Sequence, residues 1–288
     1  MFYQRSKTVL RQQGLAASKK LGQNFLVHKH TAEHIADLAD LSKEDTVIEV
    51  GVGLGALTGP LAERAGQVIG LEMDSGIIRL HEKKQDLPNN VRLLHQDVLT
   101  ADFSALAEEY GQLKIVANLP YSISSPFLFK LIEHSELIDS AVVMLQKEVA
   151  ARLLAQPGTK DYGAPTVLLA ACATVELLLE IGPEEFHPQP KVDSLLVRLV
   201  FHPVPERVRK LDPFDQQMLK RIVSAAFGQR RKTLFNGLAA AALASKEELA
   251  ACIAAAGLAP AVRAERLSLE DFVHLARLMS ERVLLPTA

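Results

Sequence analysis

The sequence predicts an α/β protein, a mostly parallel sheet covered by helices on both faces, followed by a small all-α domain. Three observations carry that reading. From residue 31 to about 200, short apolar runs alternate with helix-like stretches, the rhythm of consecutive βαβ units. A glycine-rich turn, Gly51-Val52-Gly53-Leu54-Gly55, follows the first of those runs. After His202-Pro203-Val204-Pro205 the pattern becomes helical throughout. A chain of 288 residues is long enough for one large domain and a smaller one. The expected boundaries are 1–203, opening with a basic segment over 1–30, and 204–288.

Thr46–Val50 reads as a short apolar strand, and the glycine turn leads from it into a helix over Ala56–Ala65. Gln67–Leu71 is the next strand, stopping at Glu72, with a helix over Gly76–Lys84. Val91–Leu94 forms a third strand ending near Asp97, Lys114–Ala117 a fourth ending at Asn118, and Ser140–Leu145 a fifth. Ala173–Ile181 and Ser194–Phe201 are both β-rich. The Gly182-Pro183 and Pro188/Pro190 connection between them predicts an antiparallel pair. Beyond the linker, helices are expected over Gln216–Phe227, Ser245–Ala256 and Leu269–Val283. Ser245 with Glu248 makes a capping box, and Ser268 is an N-cap. The alanine-rich stretch 239–261 has a helix-forming composition.

A formal net charge of -2 argues against a diffuse polyanion binder, but the cations are not evenly spread. Arg5, Lys7, Arg11, Lys19, Lys20 and Lys29 all precede the first acidic residue, Glu33. A second basic stretch contains Arg207, Arg209, Lys210, Lys220, Arg221, Arg230, Arg231 and Lys232 against Glu206, Asp212 and Asp215. Two such stretches fit a localised polyanion footprint; taken singly, each also fits a solvated basic face. Cys172 and Cys252 lack metal-ligand spacing and read as buried reduced thiols of a cytoplasmic protein. His28, His30 and His34 lack an acidic ligand pattern, so no metal is expected. With no membrane-length apolar run and no secretory h-region, no membrane association is expected.

The candidate chemistry gathers at strand ends. Glycines after the first strand let the backbone turn tightly and approach a ligand. Glu72, 21 residues beyond Gly51, can accept hydrogen bonds from ribose hydroxyls, and Asp97 can accept from an adenine amino group. This pattern fits a nucleoside-containing cofactor. Gly51, Gly53 and Ala56 also satisfy a relaxed dinucleotide fingerprint, so a nicotinamide-dependent oxidoreductase is an alternative. The fourth strand discriminates: it ends in Asn118-Leu119-Pro120-Tyr121, where hydride transfer needs an acid/base set. An Asn side-chain oxygen and a nearby backbone carbonyl can hold an exocyclic amine, proline fixes the chain, and the aromatic offers a stacking face. The structural alternative for those four residues is a strand followed by a proline turn.

Six segments in order resemble one family, the ribosomal RNA adenine dimethyltransferases of the bacterial small-subunit type. They are Lys20-Leu21-Gly22-Gln23-Asn24-Phe25-Leu26, the turn from Gly51 to Thr58, Asn118 to Tyr121, Leu145-Gln146-Lys147-Glu148-Val149, Phe186-His187-Pro188-Gln189-Pro190-Lys191-Val192-Asp193-Ser194, and Phe227-Gly228-Gln229-Arg230-Arg231-Lys232-Thr233. Together they span residues 20 to about 238. The resemblance implies a Rossmann-like class I methyltransferase domain with a seven-stranded sheet, a helical C-terminal domain, and S-adenosylmethionine as cofactor. It also implies dimethylation at N6 of two adjacent adenosines in a hairpin near the 3′ end of small-subunit rRNA, within a small-subunit particle, by a monomer. By motif position, Gln23, Asn24, Leu26, Gly51, Gly53, Glu72, Met73, Asp97, Val98 and Asn118 would contact the cofactor. Asn118, Leu119, Pro120 and Tyr121 would hold the target base, with Phe186 expected on its other face. Lys19, Lys20, Lys147, Arg152, Arg230, Arg231 and Lys232 would contact RNA phosphates. After Leu26 the chain departs from the family pattern, since Val27-His28-Lys29-His30 is unusually basic.

Two rivals share parts of this pattern. The large-subunit rRNA methyltransferases that confer macrolide resistance carry the same catalytic motifs, but the Gln229–Thr233 segment and the longer helical domain favour the small-subunit branch. An assembly or transcription factor that keeps the fold without methylating is the other, and intact Glu72, Asp97 and Asn118–Tyr121 argue against lost catalysis.

Overall fold

A computed structural model describes residues 22–229 and 231–283, which fall into two compact units. The first holds the described residues up to Ala150 together with Thr174–Pro203; the second holds Ala151–Ala173 and the described residues from Val204 onward. The sequence pattern puts 151–173 in the first domain. In the structure that stretch groups with the late helices.

The first unit is built on a seven-stranded sheet. Its strands are β2 (Thr46–Val50), β3 (Gln67–Glu72), β4 (Val91–His95), β5 (Leu113–Asn118), β6 (Ile138–Gln146), β7 (Thr174–Ile181) and β9 (Ser194–Val200), in the spatial order β4-β3-β2-β5-β6-β9-β7. The first five pair in parallel; β9 runs antiparallel to both its neighbours, β6 and β7. Burial along β2 and β5 is almost continuous, as expected of parallel strands covered on both faces. The helices are α1 (Lys29–Leu38), α2 (Thr58–Arg64), α3 (Ser75–Lys84), α4 (Phe103–Tyr110), α5 (Ser124–Glu133) and the start of α6 (Lys147–Leu153). Asp74 and Asp102 cap α3 and α4, their carboxylates accepting amide hydrogen bonds of the first turn. The chain runs outward from β2 through β3 to β4, then returns to the other side at β5. That switch point leaves a crevice at the carboxyl ends of β2 and β5.

Two elements lie outside the sequence expectation. Phe25–Leu26 (β1) pairs antiparallel with Phe186–His187 (β8), tying the segment before α1 to the proline-rich loop before β9. The tie continues where His28 Nδ1 and Thr31 Oγ1 meet Glu185 Oε2 at 2.8 and 2.6 Å. His28, part of the unusually basic stretch, is therefore a hydrogen-bond partner within the fold.

The second unit contains the rest of α6, α7 (Ala164–Ala170), α8 (Glu206–Arg209), α9 (Gln216–Gly228), α10 (Leu234–Ala240), α11 (Lys246–Ala255) and α12 (Leu269–Val283). The reason 151–173 belongs here is packing: α7 lies against α9, Tyr162 stacks edge-on to Phe227, and the Tyr162 hydroxyl donates to the Leu267 carbonyl at 2.8 Å. The Ser245–Glu248 capping box forms as the sequence predicts, and Ser268 caps α12 through the Asp271 amide.

Candidate active site

The parallel register brings four strand ends level. Val50 pairs with Leu71 and Ala117, and Glu72 pairs with His95, so Gly51, Glu72, Asp97 and Asn118 all emerge at one edge of the sheet. A cavity opens there, within the first unit. It is lined by Gln23, Asn24, Leu26, Gly51, Gly53, Glu72, Met73, Asp97, Val98, Asn118, Leu119 and Pro120, among others. Tyr121 and Phe186 are not among its lining residues.

The glycines are required by contact as well as by angle. Gly51 has φ +80, and a Cβ on it would come within 3.0 Å of the Asn118 carbonyl oxygen. Gly53 has φ +54, and a Cβ there would press on the Phe25 ring. These are left-handed conformations that glycine adopts without a side-chain clash.

Glu72 is buried, and each of its oxygens is already oriented. Oε2 accepts the Gly53 amide at 2.9 Å and Oε1 accepts the Asp74 amide at 2.8 Å. Burial pushes its pKa up, while those amide bonds oppose the rise by favouring the charged form. Each carboxylate oxygen still has a lone pair to offer a ligand hydroxyl. Asp97 Oδ1 accepts from the Leu99 amide, which fixes the loop after β4. Met73 is 53% exposed beside it, an apolar surface suited to a flat ring.

At the other end of the cavity, Asn118 Nδ2 points at the Asn24 carbonyl, 3.5 Å away, which turns Oδ1 in the opposite direction. Pro120 leads into a single 3-10 turn over Tyr121–Ile123. The Tyr121 ring is partly buried, and its hydroxyl shares a 2.9 Å hydrogen bond with Ser194 Oγ, which is fully buried at the start of β9. Burial raises the Tyr121 pKa and the Ser194 bond opposes it.

Phe186 requires a correction. Its ring is 2% exposed and packs with Leu26, Ile35, Ala36 and Leu196 in the main core of the first unit. Pairing of β8 with β1 sets it opposite Leu26. No face is open to a base, so Phe186 is a packing anchor. Lys147 is exposed, and its ammonium meets both Glu180 and Asp193. Arg152 lies on α6 in the second unit and is partly buried. Arg231 and Lys232 are exposed between α9 and α10. Lys19, Lys20 and Arg230 lie outside the described residues.

Two residues escaped the sequence reading. Glu49, in the middle of β2, is wholly buried, and burial lifts its pKa to about 8. Neither of its oxygens nor the nearby Thr58 hydroxyl completes a hydrogen bond, although Thr58 lies close enough to oppose the rise. His81 is buried on α3, with Nε2 at 2.8 Å from the Gly53 carbonyl oxygen and Nδ1 at 2.9 Å from Asp86 Oδ1. Among the described residues, no group of three or more His, Cys, Asp or Glu side chains could hold a metal ion, and no helix is long and apolar enough to cross a membrane.

The chain matches the ribosomal RNA adenine dimethylase family over residues 14–281. It is 49% identical to a ribosomal RNA small subunit methyltransferase A of Desulfotalea psychrophila, an alignment covering 98% of this chain and 97% of that protein. Its fold is similar to a dimethyladenosine transferase from Plasmodium falciparum, with TM-score 0.71 and 25% identity over 90% of this chain and 98% of that one. The 23S rRNA methyltransferase ErmE is also similar, with TM-score 0.62 and 26% identity over 89% of this chain and 100% of the other.

Proposed function

This chain belongs to the ribosomal RNA adenine dimethylase family, and on that premise we propose that the cavity and the Asn118 edge together methylate two adjacent adenosines in a hairpin near the 3′ end of small-subunit rRNA. The protein is an S-adenosylmethionine-dependent rRNA adenine N6-dimethyltransferase. The observation that carries the site assignment is the convergence of Gly51, Glu72, Asp97 and Asn118 on one cavity at the carboxyl edge of the sheet. The small-subunit branch is favoured by 49% identity to a protein of that name, against 26% to the 23S enzyme.

The residues fit the cofactor. Gly51 is a cradle that a Cβ would fill, Glu72 is a buried carboxylate aimed at diol chemistry, and the cavity walls are otherwise mostly apolar. Gly51 would admit the methionine part, Glu72 would accept from the ribose hydroxyls, and Asp97 with Val98 and Met73 would hold the adenine. When bound, S-adenosylmethionine supplies an electrophilic methyl on a sulfonium sulfur.

The remaining chemistry belongs to the chain. An adenine amino group is a poor nucleophile because its lone pair is delocalised into the ring. Asn118 Oδ1 and the Leu119 carbonyl accept its two hydrogens, and both bonds strengthen as the nitrogen becomes tetrahedral and positive. No strong base is needed, because the proton on the methylated nitrogen is acidic and leaves to water. Holding N6 in line is the other main contribution. Tyr121 stacks on the base, with its ring plane set by the Ser194 bond. For the second methylation the amine has one hydrogen left, so one acceptor of the pair suffices.

Arg231 and Lys232 hold rRNA phosphates without reading sequence, and the enzyme acts as a cytoplasmic monomer on a small-subunit particle. Incubation with labelled S-adenosylmethionine and unmethylated small or large subunits, followed by mapping of the label, tests this reading. Label is expected at two adjacent adenines of small-subunit rRNA. Label in large-subunit rRNA, or none, overturns it.

A further inference from the structure

We propose that His81 is a positioning residue for cofactor binding, and that α3 is the platform on which one wall of the cavity is assembled. The inference rests on the cavity being the S-adenosylmethionine site and goes beyond that assignment. Four pieces of the wall are held from this one helix. Its N-cap, Asp74, accepts the Gln23 side-chain amide on Oδ2 at 3.0 Å while Oδ1 caps the helix at Gly76. The Asp74 amide donates to Glu72 Oε1. One turn along, Ile77 packs on Phe25. One further turn on the same face, His81 reaches the glycine loop.

The Gly53 peptide is the point where these supports meet. Its N–H donates to Glu72 Oε2 at 2.9 Å, and its carbonyl oxygen lies 2.8 Å from His81 Nε2. A carbonyl can only accept, so Nε2 is the donor. Nδ1 faces Asp86, just past the end of the helix, which fixes the plane of the ring. The ring edge also lies against Gly55, where a Cβ would sit 3.3 Å from His81 Cε1. A loop at φ +54 and φ +78 is thereby held in the shape that lets Gly53 orient Glu72. Without the His81 donor the Gly53 carbonyl loses this partner, and the loop is free to rotate out of that shape. His81 touches neither cofactor nor RNA on this account; it acts through Gly53 and Glu72.

The test is calorimetric binding of S-adenosylmethionine and S-adenosylhomocysteine, with steady-state kinetics on small subunits. His81→Leu keeps the volume and removes the donor, while His81→Gln keeps a donor. We expect His81→Leu to raise both dissociation constants about tenfold, with kcat at saturating cofactor within about twofold of wild type and the KM for subunits unchanged. His81→Gln should restore affinity to within about threefold. Asp86→Ala alters only a half-exposed partner; if His81→Leu does not fold, its expected threefold (about) weakening of cofactor binding decides the matter. Unchanged affinity in His81→Leu, or in Asp86→Ala where that variant decides, overturns the proposal. So does a loss confined to kcat. Glu72→Gln is the control. If it weakens cofactor binding and the His81 and Asp86 variants do not, the positioning role alone fails; if Glu72→Gln binds normally, the site assignment fails with it.

Discussion

The two units handle polar groups in opposite ways. In the first, polar groups beside the cavity are held by specific partners, as with Glu72 between the Gly53 and Asp74 amides, while Glu49 lies buried in the sheet without one. In the second, the core is aliphatic and aromatic, with Leu219, Ile222, Leu249, Phe272 and Leu275 fully buried. Its polar groups serve mainly at helix ends, in the Ser245 capping box and the Ser268 cap, or stand exposed like Arg231 and Lys232. Pre-oriented buried dipoles suit chemistry, because they need no reorganisation as charge develops. Exposed cations on a helical scaffold suit phosphate contact, which positions a substrate without catalysing anything. The division predicts that damage to the first unit should change turnover or cofactor affinity, and damage to the second should change binding of the RNA substrate.

The sharpest way to break that division is Asn118→Ala. Loss of one acceptor aimed at the developing charge should lower kcat by about 10²–10³-fold, with the S-adenosylmethionine dissociation constant within about threefold of wild type. Stopped or single-turnover methylation with calorimetric cofactor binding measures both. Equal losses in the two would make Asn118 a cofactor residue, and the substrate end of the cavity would have to be assigned elsewhere.

A smaller effect is expected in the second unit. The double reversal Arg231→Glu, Lys232→Glu should weaken small-subunit binding and reduce the slope of log affinity against log salt by about 1.4, the value for two lost phosphate contacts on single-stranded RNA. Cofactor affinity should not move. A slope that stays the same while affinity falls would point to a local structural loss, and the two exposed cations would lose their assigned role.

Legibility followed the sequence distance between a residue and its partners. The strand ends are legible because glycine, carboxylate and amide sit at fixed offsets from short apolar runs, which puts Gly51, Glu72, Asp97 and Asn118 on one edge of the sheet. The sequence does not reveal the orientation of Phe186, because an aromatic before a proline loop does not say which way it faces; pairing of β8 with β1, which no local pattern encodes, turns it into the core. His81 was invisible for a related reason. On an amphipathic helix it resembles a surface residue, and its acceptor lies 28 positions away. Residues 151–173 were grouped by chain order, whereas the packing of α7 on α9 and the bond from Tyr162 to Leu267 are long-range events.

Glu49 supplies the smallest test, and it concerns what the first unit gives up for its buried polar interior. The side chain sits in mid-strand opposite Gly70 and Val116, without a hydrogen bond, and its pKa is about 8 against an ordinary 4.5. Between those two values the folded chain holds a proton that the unfolded chain has released. Stability therefore falls as pH rises through that window, is intact below about 4.5, and is lost above about 8. Glu72, also shifted upward, contributes in the same direction but less, because two amides support its charged form. Glu49→Gln keeps a neutral polar group of the same shape and removes the titration. Denaturant melts from pH 5 to pH 8 should show the variant gaining on wild type as pH rises, with cofactor affinity at pH 6 little changed. Parallel stability curves for the two proteins would mean that Glu49 finds a partner for its charge in solution, and the contrast between an interior of committed polar groups and one of apolar packing would then hold at this position too.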